Sequence, residues 1–543
     1  MRNIKIIKEN IRKMPIHIGI LLVIIIAGIF LRTYNFREWL YFYPDQARDV
    51  TIVKEVLDGE REWPLMGAIA ASTKFKIGPI YYYFQIISGY IFGVQPETMA
   101  YPDLFFSILS IPLLYYFSSR YFTKNLSLAI TGLYAISFYA IEYSRFAWNP
   151  NPIPFFMLLF LIALWKFLLE ENKTKWPWVV MIGIALGVGV QLHTLLLLLL
   201  PAVLFFAFVF LMLKNRSVWR RWVVIFALAV ILNIPQIISE MDKNYANSKL
   251  FLKLFTESSE NGQKKFGFNL KLDILSNSQS NAHIISGLGN KLDFNFLSIV
   301  KHKIKYKYAY GIPFNFFNYM IFSGIFLSIF FFFFGYGALV YYYRKETDRE
   351  KKYLLGMLIL YTALSFIIMH PVMDSLAIRY FIHLIFLPFL FLGFLFKFIK
   401  EKFPKIYLPV TMAVFASLAV ANLITIGNEA KAHALKNRSS ERYVVLGEIE
   451  EIGEYIASQI SSESIYFLAD GKYMQNFIKP LTYVLGEKGF ALTRLKKITD
   501  VPADKPIIML GESSDINSGG YFKKYNVGNY KDFGQLGVYI IKN

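Results

Sequence analysis

The chain is 543 residues long, 55% hydrophobic and 18% aromatic, with a formal net charge of +20 and no cysteine. Its apolar residues gather in runs of about 20, the length of a bilayer-crossing helix, which excludes an ordinary soluble globule. The basic residues sit in short gaps between those runs, which argues against a nucleic-acid surface, and the lack of cysteine excludes disulfides and thiolate metal sites.

The basic lead MRNIKIIKENIRK runs into IHIGILLVIIIAGIFL, a first span over 15–33. A cleaved signal would need small residues next, but the bulky FLRTYNF follows, so an uncleaved span is expected. Further spans are expected at 101–120, 126–142, 152–170, 177–192, 195–213, 222–239, 316–343, 353–370, 380–398 and 406–425, about eleven in all. Lys and Arg crowd SRYFTKN, KNRSVWRR, YRKETDREKK and KFIKEKFPK. That pattern puts these gaps and the N-terminus in the cytoplasm, and the C-terminus outside. The expected fold class is an α-helical polytopic membrane protein with a small extracytoplasmic α/β domain. Residues 1–429 form the membrane domain, with long outer loops at 34–100 and 240–315, and residues 430–543 form the second domain.

The first outer loop opens with LYFYPDQARDV, which packs Asp45, Arg48 and Asp49 into five positions. On a helix the two carboxylates share a face. Asp49 is equally explained as a first-turn acid favoured by the helix dipole. Asp45, at the exit of a span among Trp39, Tyr41 and Tyr43, is partly desolvated and available to accept a proton. Next comes KFKIGPIYYYF, followed by QIISGYIFG. The helix predicted here is too short to span, and is expected to lie at the interface with its tyrosines at headgroup depth. Lys74 reads as a lipid anchor, while Lys76 is the better candidate for a specific phosphate.

In IEYSRFAWNPNPIPFF, Glu142 and Arg145 flank the exit of the third span, and Asn149 belongs to a proline-stiffened turn. A plain Glu–Arg pair and a rigid loop are the structural alternative. QLHT carries His193, and HPVMDSLAIRYFIHL carries Arg379; neither has histidine metal-ligand spacing. A guanidinium at the mouth of a span is costly without a partner, and a phosphate would be a natural one. The loop 240–315, rich in Lys, Asn and Ser, is expected to be mobile. At the C-terminal end, YVVLGEIEEIGEYIASQI and YMQNFIKPLTYVLGEKG read as helices, with SIYFLAD, KPIIMLGES and LGVYIIKN as strands. No phosphate-loop, G-x-S-x-G or dinucleotide motif is present.

Four stretches, PDQAR, KIGPIYYYF, YSRFAWNPNP and IRYF, resemble in order and sidedness the motifs of the GT-C class of integral membrane glycosyltransferases. The similarity is to the bacterial branch related to protein O-mannosyltransferases and the lipid A aminoarabinose transferase, and it covers about residues 15–425. It implies a GT-C-like fold and a polyprenyl-phosphate sugar donor. The acceptor hydroxyl would be carried by a protein, lipid or envelope polymer, and no nucleic acid is involved. Asp45 matches the family's catalytic acid, with Asp49 or Glu142 as a second acid. Lys76 and Arg379 match positions that could hold donor phosphate, with Arg48 as a further cation. Tyr43, Tyr81, Tyr82, Arg145, Asn149 and His193 are expected to line the substrate site. One departure is Gln46, which replaces the second acid of the family's Asp-Glu pair and weakens a metal-dependent variant; a divalent metal ion is left open. The rival readings are a transporter or flippase, for which mid-span charges and repeats would be needed, and a membrane-anchored scaffold or sensor.

Overall fold

The computed structural model describes residues 15–70, 74–169, 176–214, 219–256, 270–288, 314–370, 378–434, 444–469, 471–495, 505–512, 529–533 and 536–541. The basic N-terminal lead and the stretches 289–313 and 371–377 lie outside them.

Helix covers most of each of the eleven expected spans. In chain order the helices are α1 (Ile16–Thr33), α2 (Pro44–Leu57), α3 (Ile80–Phe92), α4 (Tyr101–Ser118), α5 (Lys124–Ala135) and α6 (Phe138–Glu142). They continue as α7 (Ile153–Leu169), α8 (Trp176–Leu192), α9 (Thr194–Lys214), α10 (Trp219–Asp242), α11 (Ala246–Thr256) and α12 (Leu270–Ser286). The membrane part closes with α13 (Phe314–Lys345), α14 (Arg349–Met369), α15 (Leu387–Lys402) and α16 (Pro404–Ala434). Among the described residues, seven helices are long and apolar enough to cross a membrane, and α7 and α8 are shorter apolar helices. The protein is a multi-pass membrane protein.

Two expected spans are interrupted. The span at 126–142 breaks between α5 and α6, where the Ser137 hydroxyl accepts from Ala140 N and donates to Ile284 O (2.7 Å). The span at 380–398 opens as a 3-10 turn, Ile378–Leu384, before Pro388 starts α15. The bundle packs around α7, where twelve of seventeen residues are buried, Trp165 and Met157 among them. α8 lies close against α10, because a Cβ at Gly187 would meet Ala229 Cα at 3.0 Å. α1 and α16 instead expose apolar side chains such as Val23, Ile26, Leu408 and Met412, as lipid-facing helices do.

The C-terminal domain holds α17 (Leu446–Gln459), β1 (Ser464–Ala469), α18 (Gly471–Gly486), β2 (Ala491–Arg494), β3 (Ile507–Glu512), β4 (Asn529–Phe533) and β5 (Leu536–Ile541). The sheet order is β2-β1-β3-β5-β4, with β1 parallel to β2 and β3, and β5 antiparallel to β3 and β4. This domain is seated on the first loop. Val50, Val53 and Val56 of α2 share one apolar cluster with Phe477 and Leu481 of α18. Burying three valines contributes roughly 1.5–3 kcal/mol each. Backbone bonds from Phe42 N to Val444 O and from Leu446 N to Leu40 O (both 2.9 Å) stitch the chain segments together.

Two expectations are corrected. Within 240–315, residues 270–286 are not a mobile polar loop: they form α12, eleven of whose seventeen residues are buried, Asp273, Asn277, Ser280 and Asn281 among them. Composition alone misses this, because a polar helix can be enclosed by its neighbours. α3 also does not present all its tyrosines to headgroups. Tyr90 is exposed, but Tyr81 and Tyr82 turn inward onto carboxylates.

Candidate active site

α2 begins where it does because Pro44 occupies its first turn and Tyr43 is extended ahead of it. Gln46 closes the cap, accepting from Tyr43 N at 3.0 Å. Its amide hydrogens are used as well, since Nε2 donates to Ala147 O at 2.5 Å. A carboxylate could accept the first bond but not donate the second. Gln46 therefore locks α2 to the loop 143–151, and offers no carboxylate to a metal.

One turn on, Arg48 forks between two acids. Nη1 lies 2.7 Å from Asp45 Oδ1, and Nη2 lies 2.7 Å from Asp49 Oδ1. Tyr82 OH donates to the same Asp49 oxygen at 3.0 Å. The two acids differ in exposure: the Asp45 side chain is 62% exposed and that of Asp49 is 7% exposed. Burial pushes the Asp49 carboxyl up to about 6, although Arg48 and Tyr82 pull it down. Asp49 anchors the guanidinium, and Asp45 is the acid that water reaches.

Beside this pair, Tyr81 OH donates to Asp103 Oδ2 at 2.6 Å, and Asp103 is fully buried in the first turn of α4. Asp103 was not among the expected site residues. A signal for it exists in the chain: Tyr-Pro-Asp occurs at 43–45 and again at 101–103, each time opening a helix.

The loop 143–151 joins this group to the second half of the chain. Arg145 spends its guanidinium on the carbonyls that end α1, reaching Arg32 O at 2.9 Å and Tyr34 O at 2.8 Å. Asn149 donates to Leu192 O at 2.7 Å. Both hold the backbone. Trp148 lies under the exposed Arg379 guanidinium (5.9 Å), which also covers Tyr380 (5.4 Å). Among the described residues Arg379 makes no ion pair. His193 meets Tyr380 edge-on at 5.5 Å; burial, and then Arg379, lower its pKa to about 4, so the ring is neutral.

Lys76 extends an exposed side chain from a backbone gripped by Asn247: its N–H donates to Asn247 Oδ1 at 2.7 Å and its carbonyl accepts from Asn247 Nδ2 at 2.9 Å. Glu142 lines a cavity of about 100 Å³ between α1, α6 and α16, together with Trp39, Tyr41, Arg145, Glu429 and His433. Among the described residues no group of three or more His, Asp or Glu is arranged to hold a metal ion.

Residues 76–238 match the family model of dolichyl-phosphate-mannose-protein mannosyltransferases. The resemblance to GT-C glycosyltransferases is borne out over that stretch. The matched segment starts at Lys76 and takes in α3 to α9 and most of α10, with Tyr81, Asp103 and the 143–151 loop. No curated protein matches the chain. Among solved structures, ArnT from Cupriavidus metallidurans bound to undecaprenyl phosphate is similar at 12% identity and a TM-score of 0.47, over 97% of each chain. The apo oligosaccharyltransferase of Archaeoglobus fulgidus is similar at 14% identity and a TM-score of 0.48, over 92% of this chain and 70% of its own.

Proposed function

We propose that the protein transfers a monosaccharide from a polyprenyl-phosphate-linked donor to an acceptor hydroxyl on the outer face of the membrane, with inversion at the anomeric carbon. The observation that carries this reading is the unequal acid pair. Arg48 is fixed by buried Asp49, which leaves Asp45 exposed and beside a permanent cation at the start of α2. The match of residues 76–238 to a mannosyltransferase family supports the same reading.

In the reaction the acceptor oxygen bonds to the anomeric carbon as the bond from that carbon to the phosphate oxygen breaks. The acceptor proton passes to the Asp45 carboxylate. Polyprenyl phosphate leaves as an anion, which needs positive charge rather than a proton. Arg379, exposed over Trp148 and without an ion pair among the described residues, suits that role, and Lys76 is a second cation for it. Purified protein incubated with radiolabelled polyprenyl-phosphate sugars and membrane extract should move label into an acceptor. Release of labelled lipid-linked sugar across a vesicle wall without transfer would favour a flippase instead.

A further inference from the structure

α12 carries a feature that the proposed reaction does not use. Asp273, Asn277, Ser280, Asn281 and Ile284 recur at helical spacing, so they form one stripe along the helix. Asn277 is 1% exposed, Ser280 0% and Asn281 3%, yet both amide atoms of Asn277, the Ser280 hydroxyl and Asn281 Nδ2 have no hydrogen-bond partner. Each such atom costs about 1–3 kcal/mol when left unmade, so four of them are a large debit against a marginal fold. The helix ends, by contrast, are well satisfied. Ser137 donates to Ile284 O, Asn422 Nδ2 donates to Ile285 O (2.8 Å), and Gly287 turns the chain at φ +66°. At the other end Asp273 is held by His370. Asn422 lies three residues inside the C-terminal end of the span expected at 406–425, so the Ile285 end of α12 packs at the loop end of the bundle. Unpaired buried polar atoms in a native fold call for a partner, and a ligand is one.

We propose that this stripe seats the hydroxyl groups of the donor's sugar, an inference that rests on the proposed glycosyl transfer. The unmatched atoms are neutral and include both donors and acceptors, which suits a neutral polyhydroxyl ring. A phosphate would meet the Asp273 carboxylate, and a cation would find that carboxylate already engaged by His370 and two of the four unpaired atoms to be N–H groups. α12 is also connected to the candidate site, through another of its faces. His283, one turn beyond Ser280, meets Tyr139 edge-on at 5.4 Å, Tyr139 meets Tyr143 at 4.6 Å, and Tyr143 meets Trp148, under Arg379, at 5.8 Å. α12 packs as well on the 3-10 turn that bears Arg379.

The test compares binding of polyprenyl phosphate bearing a panel of hexoses and pentoses with binding of the bare lipid phosphate. Wild type should bind one sugar-bearing form more tightly than the bare lipid. Asn277→Leu and Asn281→Leu should lose that preference by roughly tenfold, keep the affinity for bare lipid, and melt no lower than wild type, since each removes an unpaired buried amide. A variant that keeps the preference overturns the proposal, as does equal weakening of both lipids with a lowered melting temperature, which would indicate packing or bound water. Wild type that binds bare lipid without any sugar preference overturns the stripe alone. Wild type that binds neither lipid sinks the glycosyl-transfer reading as well.

Discussion

Asp45 and Asp49 lie one helical turn apart and share one arginine, yet their surroundings assign them different work. The exposed pair of Arg48 with Asp45 contributes under about 1 kcal/mol to stability, so the fold depends little on Asp45. Asp45→Asn is expected to lower turnover by roughly 100-fold or more with donor binding intact, while Glu142→Gln and Asp49→Asn cost less; initial rates on detergent-stable protein measure this. Parent-rate transfer by Asp45→Asn together with loss in Glu142→Gln would move the base to Glu142. Asp49 has a signature of its own. Its carboxyl is raised to about 6, so its contribution to stability is whole below the ordinary carboxylate range near 4 and is lost as pH rises through about 6. The loss is on the order of 3 kcal/mol. Melting temperatures from pH 4 to 7 should therefore fall less in Asp49→Asn than in the parent. An equal fall in both proteins would show that Asp49 is not the titrating group. For the donor phosphate, Arg379→Ala and Lys76→Ala should each weaken donor affinity, with less effect on saturation by the acceptor. Unchanged affinity in both would reduce them to surface cations.

At the scale of elements, the short α6 and the buried α12 hold each other in place through side chains that replace missing backbone partners. Asn422 accepts from Phe138 N at 2.8 Å and donates to Ile285 O, so one amide on α16 satisfies the start of α6 and the end of α12. Asn422→Leu would leave both backbone groups buried and unpaired. A loss of about 2–5 kcal/mol is expected, read as a drop in melting temperature with α-helical content largely kept. A melting temperature equal to wild type would mean that water takes over both bonds. Gln46 does the same work for α2 and the aromatic loop. It is a stabilising bridge at a place where the resemblance led to the expectation of a second acid.

Across the whole molecule, the C-terminal domain and α2 form one apolar cluster, and both lie at the loop end of the bundle with Arg145, Trp148 and Arg379. Membrane sidedness can then be tested from either part. A reporter fused after residue 543 is expected to report the outside, and one inserted near residue 347, within the basic YRKETDREKK gap, the cytoplasm. A cytoplasmic signal from the C-terminal fusion would put Asp45 on the cytoplasmic side too, and would exclude an external acceptor. The ion pair between Lys54 and Glu487, both over 40% exposed, adds little to this docking.

The spans were legible in the chain because a bilayer demands long apolar runs and charges bias the gaps between them, both of which are local properties. The start of α2 was legible only in part: a proline suits a helix's first turn, but the Gln46 cap came from the structure. What only the tertiary structure decided concerns partners far apart in sequence. Asp49 is separated from Asp45 in character by Tyr82 of another helix, Asp103 gains its role from Tyr81, and Arg145 finds the carbonyls of α1 over a hundred residues earlier. Burial of α12 was hidden for the same reason: a polar composition shows which groups need hydrogen bonds, and only the packed bundle decides whether water can reach them.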